Sequence, residues 1–86
     1  MIHASHPKII ARLKRAQGHL ASVLVMLDEG RPCPGIAQQL HAVEKAIANA
    51  KRELIHDHIE HCLEDTAEAD AGHGAIAELK LISKFL

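Results

Sequence analysis

IAQQLHAVEKAIANAKRELIHDHIEHCLED, residues 36–65, contains neither glycine nor proline. Ile36, Leu40, Val43, Ile47, Ala50 and Leu54 recur in it at alternating steps of four and three. That is the period of a helix with one apolar side, so the stretch predicts a single long helix. Extending the stripe from Leu54 by steps of four reaches His58 and then Cys62. Just ahead of the stretch, Pro32-Cys33-Pro34-Gly35 supplies a second cysteine. Two thiolates and an imidazole form a donor set suited to a transition metal. At about 1.5 Å rise per residue, Cys33 and His58 would be separated by roughly 37 Å along one rod. One chain cannot fold that distance away. A metal shared by Cys33, His58 and Cys62 therefore requires Cys33 from one subunit and His58 with Cys62 from an antiparallel neighbour.

Upstream, Ile9, Leu13, Ala16, Leu20, Val23 and Leu27 repeat the same four-three alternation and predict a first helix. Ser5 is placed to cap its start and Pro7 suits an early helical position. Gly30 falls where a left-handed cap would end it. The connection over residues 31–35 is short, so the second helix turns back on the first. Residues 66–74 are small and polar and predict a loop, followed by a short third helix over residues 75–86. Ile76, Leu79, Ile82 and Leu86 share one side of that helix, with Lys80 and Lys84 on another. The expected fold is all-α, a three-helix protomer. Its long helix carries more apolar surface than two short partners can cover, which an antiparallel dimer forming a four-helix bundle would relieve.

Composition sets the outer limits. The 86 residues allow one small domain, and a chain this short commonly needs a metal or a partner for stability. Hydrophobic residues make up 48%, yet Phe85 is the single aromatic, so the core must be aliphatic helix on helix. No apolar run is long enough to span a bilayer and Met1-Ile2-His3 does not begin a secretory signal. A cytoplasmic protein with no membrane partner is expected, its cysteines thiols or ligands rather than a disulfide. The net charge of −1 conceals an asymmetry. Residues 1–52 hold eight Lys and Arg against three acids, while residues 53–86 hold two against eight. Two uses fit this division: DNA contact by the basic half with cation binding by the acidic half, or charge-complementary packing between subunits.

His58 and Cys62, four residues apart, project from the same side of a helix and make a two-point chelate. With a further thiolate the set fits trigonal Cu(I), tetrahedral Zn(II) or Co(II) with a fourth ligand, or square-planar Ni(II) with a fourth nitrogen. A buried small thiol beside a surface histidine is the plain alternative for the pair. The chain has eight histidines. His56 and His61 point away from the His58/Cys62 line, and His61 lies four residues from both Asp57 and Asp65, as expected of a surface network. His19 and His41 fit ordinary helical positions, and His73 falls in the loop. His3 differs, because an N-terminal segment can reach where helices cannot; it is the candidate fourth ligand, with His6 as the alternate. Lys8, Arg12, Arg15 and His19 form a stripe beside the apolar seam, with Lys14 elsewhere, and guanidinium groups in register suit DNA phosphates. A solvated helix face is the competing use. Neither a helix-turn-helix nor an aromatic stacking platform is evident.

Arg12-Leu13-Lys14-Arg15-Ala16-Gln17-Gly18, Cys33, Gln38-Gln39-Leu40, Ala42-Val43 and His58-x3-Cys62 resemble the CsoR/RcnR family of bacterial metal-responsive repressors, which includes formaldehyde sensors. The likeness spans nearly the whole chain. It implies a single metal-sensing, DNA-binding domain over residues 1–86, a dimer paired into a homotetramer, and no enzymatic activity. It further implies binding to double-stranded operator DNA when metal-free and release when the intersubunit site fills, which derepresses metal efflux. Cys33, His58 and Cys62 match the ligands of the family's copper sensors, and Glu78 falls near an acid that supports those ligands. Arg12 and Arg15 match the family's DNA-contact positions, with Lys8 and Lys14 beside them. The copper sensors' supporting tyrosine has no counterpart, since the chain contains no Tyr. Ser5-His6-Pro7, Arg31-Pro32-Cys33 and Gln38-Gln39-Leu40-His41 are more similar to the nickel/cobalt branch, so Ni(II) or Co(II) is the expected signal, ahead of Cu(I) or Zn(II). Ile2 and a retained Met1 argue against formaldehyde crosslinking at an N-terminal proline amine. His58 argues against the persulfide sensors, which lack that histidine. A metal chaperone without DNA activity and a zinc hydrolase stand as lesser alternatives.

Overall fold

The computed structural model describes residues 6–65 and 72–86; the side chains of residues 62–65, 72, 73 and 75 lie outside the described set. Helix α1 spans His6–Asp28, α2 spans Cys33–Asp65 and α3 spans Gly72–Ile82, closed by a 3₁₀ turn over Ser83–Phe85. The fold is all-α, as the two periodic stripes predict. Among the described residues no helix is long and apolar enough to cross a membrane. The Ser5 cap and residues 66–71 of the loop expected over residues 66–74 lie outside the described residues.

The turn between α1 and α2 follows from its glycine. Gly30 has φ +68°, a left-handed conformation that a β-carbon disfavours. The Gly30 amide donates to the Leu27 carbonyl at 3.1 Å and the Arg31 amide to the Met26 carbonyl at 3.0 Å, which satisfies two carbonyls at the end of the helix. Helix α2 then begins earlier than expected, at Cys33 rather than Ile36. Pro34 is tolerated because first-turn amides have no intrahelical acceptor to lose, and the Ile36 amide donates to the Pro32 carbonyl at 3.3 Å. Cys33 is thus the first residue of a 33-residue rod.

The two long helices pack antiparallel along alternate layers of their stripes. Ile9, Ala16 and Val23 on α1, and Ile36, Val43 and Ala50 on α2, are buried, seven residues apart in each helix. Val23, Ile36 and Val43 form the centre, with Met26 packed on them. The other half of each stripe, Leu13, Leu20 and Leu27 with Leu40, Ile47 and Leu54, remains exposed. The stripe expected to run through Leu54 also changes course. Ile55 is buried at 2% exposure while Leu54 is 39% exposed. Helix α3 also packs on α2, where Glu78 reaches His58.

The molecule measures 59 × 23 × 13 Å, so its smallest dimension is about one helix diameter. Its accessible surface is 6548 Å². A compact monomer of 9.4 kDa would expose about 5,000 Å². One layer of helices leaves one side of the seam open. The third helix starts at Gly72 instead of Ala75, and Ile76 and Leu86 of its expected apolar side are exposed, whereas Leu79 and Ile82 are half-buried.

Candidate metal centre

Cys33 is exposed at the first turn of α2. His58 lies 25 residues further along the same unbroken helix. The structure therefore keeps these two candidate ligands apart within one protomer, as the length of the stripe requires. Among the described residues no group of three His, Cys, Asp or Glu side chains gathers to hold a metal. Cys62 occupies α2 four residues after His58, but its side chain lies outside the described residues, as does all of His3. His6 opens α1 and is half-buried.

His58 is half-buried, and its Nε2 meets Glu78 Oε2 of α3 at 3.0 Å. A carboxylate on Nε2 favours the tautomer with the proton there, which puts the ring's lone pair on Nδ1. Carboxylate–imidazole contacts of this kind orient metal-binding histidines. Packing of α3 on α2 is what delivers Glu78, so the third helix acts as a brace for the ring. A groove of about 330 Å³ opens beside the pair, walled by Leu81, Ile82, Lys84 and Phe85. His61 pairs with Asp57 as expected, though half-buried and not on the open surface: its Nδ1 is 2.9 Å from the Asp57 carbonyl and 3.5 Å from Asp57 Oδ1.

The basic stripe borders a separate groove of the α1–α2 pair. Arg12, Arg15 and His19 of α1 line a groove of about 340 Å³ with Ala16, and with Ala46 and Asn49 of α2. Lys8 and Lys14 are exposed on the same helix. His19 Nε2 is 2.5 Å from Gln39 Oε1, which ties the helices across the seam. Arg12 Nε is 3.3 Å from Glu53 Oε2. Sequence reasoning missed Glu53, Gln39 and Asn49 as parts of this face.

A family model described as metal-sensitive transcriptional repressor matches residues 5–84. The chain belongs to that family. Membership in this CsoR/RcnR group makes it a metal-sensitive transcriptional repressor rather than an enzyme, which removes the zinc hydrolase alternative. It is 36% identical over 72 residues to the copper-sensing transcriptional repressor CsoR of Bacillus subtilis, covering 84% of this chain and 71% of that one. It is 30% identical over 80 residues to the transcriptional repressor RcnR of Salmonella paratyphi B, covering 92% and 89%. With the copper-sensing CsoR of Mycobacterium tuberculosis it shares 38% identity over 71 residues but spans only 58% of that protein's length. Among solved structures, the nickel-responsive transcriptional regulator InrS superposes with a TM-score of 0.84 at 34% identity, with both chains fully covered. Family members of this similarity thus include both copper and nickel responders.

Proposed function

We propose that this repressor binds operator DNA in its metal-free form as a dimer of antiparallel dimers. Its DNA is released when Ni(II) or Co(II) fills a site built from Cys33 of one protomer and His58 and Cys62 of its neighbour, which derepresses metal efflux. The observation that carries this reading is the placement of Cys33 and His58 at opposite ends of one rigid helix that bears an exposed apolar half-stripe. An antiparallel partner laid on Leu40, Ile47 and Leu54 would bring one chain's Cys33 toward the other's His58. The donor set fits a borderline to soft transition metal. The bound ion supplies a bond between subunits. Filling the site fixes the turn before one α2 against the distal half of the other and shifts the Arg12 and Arg15 faces out of register on DNA. Such a ligand acts only by its differential affinity for the two states, with coupling typically about 1–3 kcal/mol.

His3 is the fourth ligand in this proposal, with His6 as the alternate, and the preference for nickel or cobalt depends on it. Cu(I) is the second reading, favoured by the likeness to copper-sensing relatives at 36–38% identity; for it Cys33, His58 and Cys62 suffice. Titrating the metal-free protein on labelled operator duplex with Ni(II), Co(II), Cu(I) and Zn(II) decides between them. Ni(II) or Co(II) should weaken binding about 5–150-fold, and His3→Ala should abolish that response while leaving any Cu(I) response intact. A response to none of the four metals rejects the site.

Glu78→Gln should keep the fold, since Glu78 is exposed, but lose the carboxylate that orients His58. Metal affinity, measured by competition with a chromophoric chelator, should fall about 10–100-fold. An unchanged affinity would mean that α3 plays no part in the site.

A further inference from the structure

Glu53 stands where the basic face would meet DNA. Its Oε2 is buried and makes no directed hydrogen bond among the described residues; it faces the Arg12 guanidinium at 3.3 Å. The pair is held by charge rather than by aligned donors, and Arg12 remains 46% exposed at the edge of the groove it shares with Arg15 and His19. A carboxylate in that place offers Arg12 the same chemistry as a phosphate oxygen, an anionic oxygen at ion-pair distance.

We propose that Glu53 is an internal competitor for Arg12, occupying the guanidinium that would otherwise contact a nucleic-acid phosphate, so that DNA binding exchanges one anionic partner for another. The inference rests on the DNA-binding reading above and adds to it a residue that sets affinity without touching DNA. An internal competitor holds operator affinity low enough for a modest coupling to empty the site.

The test uses the metal-free full-length protein and a fluorescein-labelled duplex of the DNA immediately upstream of its own gene. Glu53→Gln keeps the shape and removes the charge, while Glu44→Gln makes the same charge change at an exposed position of α2. E53Q should bind about fivefold tighter than E44Q, the upper end for a partly exposed ion pair, and the gain should vanish when Arg12→Ala is added. Equal binding by E53Q and E44Q, weaker binding by E53Q, or a gain that survives R12A would each overturn the proposal. Elution from phosphocellulose gives a second measurement, with E53Q expected at higher salt than E44Q. A wild-type protein that ignores the duplex would defeat the repressor reading, and phosphocellulose would then judge Glu53 alone, with co-elution of the two variants counting against it.

Discussion

A mixed dimer of Cys33→Ala and His58→Ala subunits should recover one metal site where each parent homodimer has none. In such a dimer the His58→Ala subunit supplies an intact Cys33, and the Cys33→Ala subunit supplies intact His58 and Cys62. Those three residues make one complete intersubunit set, while the opposite site lacks both groups. Within a single chain the same two substitutions leave no complete set at all. Each parent should lose more affinity than the roughly 10–100-fold that an orienting partner is worth. Co-expression with two affinity tags isolates the mixed species, and metal stoziometry read by chelator competition gives the result. No site in the mixed dimer would mean that Cys33 and His58 do not share a metal, and would remove that reason for an antiparallel pair.

That prediction was legible in the sequence because it depends on length alone. A gap-free helix from Ile36 to beyond His58 has a fixed rise, and the structure extends it by starting the helix at Cys33. The turn was legible too, since Gly30 marks the one left-handed position in the described chain. What depended on a second neighbour was harder to read. Ile55 replaces Leu54 in the protomer interior, a change of course that a strict four-three stripe does not reveal. The start of α3 at Gly72 was missed because Gly72 and Gly74 are poor helix formers. Glu78 was reached through family resemblance, and the structure added its contact with His58 Nε2. Glu53 went unnoticed because its significance is a pairing across two helices. Arg12 read alone is a phosphate ligand, whereas Arg12 opposite Glu53 is one already engaged.

Ile47→Glu should convert the protein to a monomer and abolish duplex binding. Ile47 is 45% exposed and sits midway between Leu40 and Leu54 on the uncovered half of the α2 stripe. Within one protomer a glutamate there meets water, so a chain that functioned alone would be nearly indifferent to it, with a stability change within about 0.5 kcal/mol. At the centre of a helix-on-helix seam the same glutamate would bury a charge without a partner, which costs several kcal/mol, besides losing about 1 kcal/mol of apolar burial. The substitution would be present twice in each dimer. Val43→Ala provides the contrast, because Val43 lies in the protomer interior at 3% exposure. Its loss should lower the melting temperature in proportion to a cavity without changing the state of association. Sedimentation velocity separates the two effects: I47E should sediment as a monomer at concentrations where wild type and V43A remain associated. An I47E protein that stays associated would mean that the exposed half-stripe is not the subunit seam. The antiparallel arrangement required by Cys33 and His58 would then need another face of the helices.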